Sequence, residues 1–210
     1  MAAKIKICGI TNPADARLAA QLGADLLGFN FYPPSPRYLE PQAAAEIIAS
    51  LPSRIISVGV FVNAGTDSIE RVLNMCPLPM VQLHGDESNE ECRQAAALGV
   101  QVIKAVRIRQ PDDIEALADY DVNMVLLDAF RKELYGGTGH TFDWSWVKQL
   151  GDKKIFLAGG VTPANIKEAL SLRTYGIDLC SSVEKKPGLK DADKLKLLFE
   201  NIGNYYRDEY

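Results

Sequence analysis

The sequence has 210 residues, 47% of them hydrophobic and 24% charged, with a net charge of −4. A chain of this length can bury roughly 70% of its unfolded surface, and this balance excludes a disordered polypeptide. The mild acidity, with a pI near 5.3, leaves no electrostatic footprint for nucleic acid or an anionic membrane, although a local positive site can still hold a small anion.

The chain enters an apolar run at residues 5–10, with none of the pattern of a signal peptide before it. Pro13 then opens a helical segment carrying Ala16, Leu18, Ala19 and Leu22, closed by Gly23. A second apolar run covers 26–31, and Pro41 opens a helical stretch over 43–51. Runs at 56–62 and 80–84 follow. Ser88 stands three residues before Glu91, the spacing of a capping box, and Gly99 closes that helix. The run at 102–108 precedes Pro111 and a segment around Ile114 and Leu117. After the run at 124–130, Asp143 leads Trp146, Val147 and Leu150. After the run at 155–161, Pro163 opens a helix over 166–172. The last run, 177–181, is followed by Asp191 and a helical segment over 195–199.

The eight runs are short, rich in Val, Ile and Leu, and mostly not alternating. That pattern fits parallel strands covered on both faces. Eight strand–helix units in strict succession imply a closed α/β barrel, a single-domain (β/α)8 TIM barrel over residues 1–210, rather than an open doubly wound sheet. No run approaches the roughly 20 residues that span a bilayer. The cysteines Cys8, Cys76, Cys92 and Cys180 share no C-x-x-C spacing, which argues against a zinc or redox motif and for a reducing, cytoplasmic setting.

In such barrels the chemistry lies at the C-terminal ends of the strands, and polar residues gather there. Strand one ends in Lys6-Ile7-Cys8-Gly9. Lys6 and Cys8 are two apart and share a face, so the ammonium favours a thiolate that can act as nucleophile or base. Strand two runs into Ser35-Pro36-Arg37, a stiff loop presenting a planar guanidinium suited to a carboxylate or phosphate. Strand four ends at His84, read as contacting substrate rather than as the main base. Asp128 ends the apolar run Val125-Leu126-Leu127. A carboxyl group there is costly unless paired or used, and burial favours the protonated form that a general acid needs. Residues 136–139, Gly-Gly-Thr-Gly, form a candidate lid; without a following Lys-Ser/Thr they are not a P-loop. Gly159-Gly160 and Ser181-Ser182, after strands seven and eight, have the form of a phosphate cradle, with Asp178 just before. The ordinary alternatives stand beside each: buried filler for Cys8, a structural carboxylate for Asp128, a solvated charge for Arg37, two plain turns for the cradle.

Taken together, these segments resemble the phosphoribosylanthranilate isomerase family of tryptophan biosynthesis. The matching stretches are Lys6-Ile7-Cys8-Gly9-Ile10-Thr11, Gly28-Phe29 with Ser35-Pro36-Arg37, Gln82-Leu83-His84-Gly85-Asp86, Leu127-Asp128-Ala129, 136–139 with Phe142-Asp143-Trp144, Leu157-Ala158-Gly159-Gly160-Val161 with Pro163 and Asn165, and Val183-Glu184 with Pro187-Gly188 and Lys190-Asp191. They span nearly the whole chain in order. The resemblance implies an Amadori rearrangement of a phosphorylated aminoaldose to an aminoketose. It implies Asp128 as the general acid that opens the furanose ring and Cys8 as the base that takes the C2 proton. It places Arg37 on the anthranilate carboxylate, with His84 and Asp178 at the substrate and Gly159, Gly160, Ser181 and Ser182 at its phosphate. It implies no metal and no cofactor. One position departs from the family pattern: Ser182 stands where glycine is usual, at a cost of about 1–2 kcal/mol if the site requires positive φ.

Two other readings compete. A histidine-pathway aminoaldose isomerase pairs two aspartates, and Cys8 stands where one would be wanted. A catalytically silent phosphate-binding barrel has no use for an acid–base pair. The outer helices show no long apolar stripe beyond core needs, so a monomer is expected rather than a homodimer.

Overall fold

Short apolar strands alternate with helices along the chain, and each strand finds the next as a parallel neighbour. The computed structural model describes residues 2–110, 112–115, 117, 120–122, 124–129, 143–149 and 153–208. Its strands are β1 (Lys4–Cys8), β2 (Leu26–Asn30), β3 (Ile56–Phe61), β4 (Met80–Leu83), β5 (Gln101–Ile108), β6 (Met124–Ala129), β7 (Lys154–Leu157) and β8 (Gly176–Leu179). They close into a parallel barrel in chain order, with β8 returning to pair with β1. This is the (β/α)8 barrel that the sequence pattern implies.

Several apolar runs outlast their strands. The run at 5–10 pairs only to Cys8, 26–31 only to Asn30, 56–62 only to Phe61 and 155–161 only to Leu157. Ile10, Phe31, Val62 and Val161 remain buried beyond the ladder. Hydrophobicity reports burial, and here the loop residues above the sheet are buried too.

The helices are α1 (Pro13–Leu22), α2 (Pro41–Ala49), α3 (Thr66–Met75), α4 (Asn89–Ala97), α5 (Asp112–Glu115), α6 (Ile166–Ser171) and α7 (Ala192–Asp208). Local chemistry explains their starts. Asn12 caps α1 by accepting from the Asp15 N–H at 2.9 Å. Ser88 and Glu91 form the expected capping box on α4. Sequence signals gave no start for α3, because it begins after Gly65 with no side-chain cap. The segment after β6 is a 3₁₀ turn, Trp144–Gln149, rather than an α-helix. Pro111, residue 130, the 136–139 stretch, Phe142 and Leu150 lie outside the described residues.

A two-stranded antiparallel hairpin, β9 (Glu184–Lys186) and β10 (Leu189–Lys190), follows β8 and was not foreseen. The Lys190 N–H donates to Asp15 at 2.7 Å, so the hairpin is fastened beside α1 at the C-terminal mouth of β1.

The core has two layers. Leu26, Val58, Met80, Ile103, Ala105, Met124, Leu126, Phe156 and Ala158 fill the barrel interior. A larger cluster lies between the sheet and the helices. The packed interior makes the barrel a solid pedestal, so side chains at the C-terminal strand ends are held by their strands. Among the described residues, no helix is long and apolar enough to cross a membrane.

Candidate active site

Register decides which side chains meet above this pedestal. Lys6 of β1 pairs with Asp178 of β8, and both point inward. Lys6 Nζ donates to Asp178 Oδ1 at 2.8 Å, with the two side chains 0% and 8% exposed. Burial pushes Asp178 up to about 6 against the pull of Lys6. Burial also opposes the Lys6 charge, but Asp178 and Cys8 outweigh it and hold the ammonium above its ordinary range. The pair is therefore ionised at neutral pH. Asp178, expected at the substrate, thus spends one carboxylate oxygen on Lys6.

Asp178→Ala leaves that buried ammonium without its carboxylate partner. The expected loss is about 3–5 kcal/mol of folding stability, measured by urea denaturation. An unchanged midpoint and slope would contradict the ion pair.

Two residues further along β1 comes Cys8, again facing inward and buried. A Cβ on Gly28 of the neighbouring β2 would stand 2.7 Å from Cys8 Sγ, so glycine there makes room for the sulfur. Interaction with the Cys180 thiol and the charges of Lys6 and Lys190 hold Cys8 well below the ordinary thiol range, against the opposing effect of burial. Cys180 is pushed the other way, by Cys8 first and by burial second. Of the two interacting thiols Cys8 is the one that favours the ionised form, and Lys6 on its face contributes to that preference.

Asp128 is the penultimate residue of β6, three strands from β1 by way of β8 and β7, and is buried. Its Oδ2 lies 3.3 Å from Nε2 of His84. On the other side of that ring, the Gln82 amide nitrogen donates to His84 Nδ1 at 2.6 Å. With Nδ1 accepting, Nε2 bears the ring proton and donates to Asp128. His84 is thus held between Gln82 and Asp128. Gln82 Oε1 is buried with no partner among the described residues.

Arg37 reaches across the mouth of β1. Its Nε donates to Glu184 Oε1 at 3.0 Å and Nη2 to Oε2 at 2.7 Å. Glu184 also accepts from Lys190 Nζ at 2.9 Å and from the Gly188 N–H at 3.2 Å. Burial opposes its ionisation, but Arg37 and Lys190 keep Glu184 below the usual carboxylate range. Lys190 Nζ donates further to the backbone carbonyls of Cys8 and Cys180. Gly9, at φ 75°, makes the crossing passable: a Cβ there would stand 2.7 Å from Arg37 Cδ. Two cations share one carboxylate, so the cluster carries a net positive charge beside Cys8.

Gly159 (φ 69°) and Gly160 (φ 81°) follow β7, and Ser181–Val183 forms a 3₁₀ turn after the adjoining β8. Asn165 ties the first loop, donating to the Gly160 carbonyl at 3.0 Å and accepting from the Thr162 N–H at 2.7 Å. Ser182 is not among the non-glycine residues with positive φ, so the strain foreseen for a serine at this position does not arise. Its Oγ is buried with no partner among the described residues.

The family model for N-(5'phosphoribosyl)anthranilate (PRA) isomerase matches residues 5–201. The chain belongs to this family. Within it, the chain is 44% identical over 201 residues to the N-(5'-phosphoribosyl)anthranilate isomerase of Trichlorobacter lovleyi, covering 94% of this chain and 97% of that one. A solved phosphoribosyl anthranilate isomerase in complex with reduced 1-(o-carboxyphenylamino)-1-deoxyribulose 5-phosphate is 38% identical, with a TM-score of 0.85 and coverage of 96% and 99%. Monomers generated from the dimeric isomerase of Thermotoga maritima match with the same identity, TM-score and coverage.

Sequence reasoning about this family member singled out Cys8, Asp128, Arg37 and His84, and the barrel gathers their backbones at one mouth. It gave no role to Gln82, Cys180, Glu184 or Lys190. Gln82 carries a signal that could have found it: a buried amide in the otherwise apolar strand Met80–Leu83. Glu184 and Lys190 carry none, since an acidic residue and a lysine in a polar hairpin read as surface.

Proposed function

We propose that this chain is a working N-(5'-phosphoribosyl)anthranilate isomerase, converting its substrate to 1-(2-carboxyphenylamino)-1-deoxyribulose 5-phosphate in tryptophan biosynthesis. The observation that carries the reading is a thiolate-favouring Cys8 and a buried Asp128 at two ends of one barrel mouth, in a chain whose family membership is given above.

The reaction needs two proton transfers. Asp128 gives a proton to the furanose ring oxygen, and the ring opens to a Schiff base. The Cys8 thiolate then removes the C2 proton, and the enolamine tautomerises to the aminoketose. The substrate's own nitrogen takes the electron pair, so the reading calls for no metal or organic cofactor. His84, held by Gln82, fixes the orientation of the Asp128 carboxyl. Gly159, Gly160, Ser181 and Ser182 hold the phosphate, with the unpartnered Ser182 Oγ available to it. Arg37, braced by Glu184, faces the anthranilate carboxylate with its remaining guanidinium edge. Asp178 contributes through Lys6 and its second oxygen. The reading takes the enzyme as a cytoplasmic monomer; among the described residues the exposed large apolar ones, Met75, Tyr175, Leu189 and Leu197, come from α3, the turn before β8, β10 and α7 rather than from one element.

The test is an assay of the purified protein with freshly generated phosphoribosylanthranilate, following loss of its anthranilate fluorescence. Rapid loss is the expected result, and a stable signal would return the chain to the silent-barrel reading. Arg37→Ala removes a charge-assisted hydrogen bond of about 1.5–3 kcal/mol. A KM increase of roughly ten- to hundredfold with a smaller change in kcat is expected from initial rates. An unchanged KM would move the carboxylate site elsewhere.

A further inference from the structure

The ladder that joins Lys6 to Asp178 continues. After Lys6↔Asp178 comes Ile7↔Leu179, where the ladder ends; Cys8 is the last residue of β1 and Cys180 the first residue after β8. Paired positions two apart in a parallel ladder share a face. The 2.8 Å contact between Lys6 and Asp178 shows that this face points into the barrel. Cys8 shares that face, a Cβ on the adjoining Gly9 would stand 3.0 Å from Cys180 Sγ, and the two thiols interact directly, so the sulfurs stand side by side at the mouth. Adjacent strands lie about 4.8 Å apart, inside the Cα separation of about 4.4–6.8 Å that a disulfide tolerates. Lys190 Nζ bonds the carbonyl oxygens of both residues and holds the two chain ends together. Both cysteines are free thiols. The C-x-x-C spacing that is absent from the sequence is replaced here by proximity across two strands.

We propose that Cys8 and Cys180 form a dithiol modification site, which hydrogen peroxide converts to a disulfide that ties up the sulfur of Cys8. The Cys8 thiolate attacks one peroxide oxygen, so an S–O bond forms and the O–O bond breaks. The departing hydroxide takes up a proton as water. The Cys180 sulfur then attacks the sulfenic sulfur, the S–O bond breaks, and a second water leaves with the Cys180 proton. Two thiols lose two electrons to one peroxide, which becomes two waters. The charge distribution suits this order, with Cys8 as the attacking thiolate and Cys180 as the resolving thiol. Cys76 and Cys92 are buried on the outer side of the sheet, in the layer facing the helices. The pairing of the two sulfurs stands on geometry; that it silences turnover rests on Cys8 being the base.

The experiment treats the purified full-length protein with hydrogen peroxide, alkylates remaining thiols, and digests with trypsin. The expected product is peptide 7–17 linked to peptide 174–185, two hydrogens lighter than their sum. It accumulates as isomerase activity is lost, and dithiothreitol reverses both. Cys180→Ser, compared with its own starting rate, loses activity that dithiothreitol does not restore under the same excess, because unprotected Cys8 proceeds to the sulfinic acid. Sulfinic acid on Cys8 of the parent protein without the linked peptide would overturn the proposal, as would two unreacted thiols. The linked peptide with full activity would uphold the modification and overturn Cys8 as the base, so the two failures are distinguishable.

Discussion

Cys8→Ser is expected to lower kcat by about 10²–10⁴-fold, the contribution of a positioned base, while the reduced product analogue still binds. Serine is nearly isosteric, so the packing of Sγ against Gly28 is kept. What changes is the proton affinity. The interactions that hold the Cys8 thiol below its ordinary range are too weak to ionise an alcohol at neutral pH. Fluorescence initial rates measure turnover, and titration calorimetry with the reduced analogue measures binding. A near-normal rate would remove Cys8 as the base. A loss of both rate and binding would mean that the substitution damaged the site rather than the proton transfer.

Asp128→Asn is expected to reduce kcat by a comparable 10²–10⁴-fold for a different reason. The amide keeps the size of the carboxyl group and can still accept from His84 Nε2, as Asp128 Oδ2 does at 3.3 Å. It has no acidic proton for the ring oxygen, so the furanose stays closed. Because ring opening precedes C2 deprotonation, the double variant should be little slower than either single one. Additive losses would contradict the sequential scheme and assign both residues to one rate-limiting transition state.

Much of this is legible in the sequence. Parallel strands buried on both faces leave short Val-, Ile- and Leu-rich runs, and the barrel follows from their number and alternation. Cys8 and Asp128 stood out because a polar residue ending an apolar strand demands a reason. What stayed hidden depends on register. Lys6 and Asp178 are 172 residues apart, and nothing local says that they meet. Once they do, the neighbouring contact of Cys8 with Cys180 follows. Arg37 was seen as a guanidinium on a stiff loop, but its brace, Glu184, comes from a hairpin without periodic signal. Helix α3 escaped because Gly65 provides no cap. The strain feared at Ser182 was a backbone question that residue type alone could not answer, and a 3₁₀ turn resolves it.

The central claim is that Cys8 is a thiolate poised to take a proton. Its titration can be read directly as the ultraviolet thiolate absorbance of the parent protein minus that of Cys8→Ser. A base works when deprotonated, so a lowered Cys8 pKa keeps the enzyme active at neutral pH, and activity falls as pH drops through that value. The account predicts a Cys8 transition below the value of about 8.5 for a free cysteine, coincident with the acid limb of kcat/KM. A transition at or above the free value, or an acid limb unrelated to it, would contradict the account.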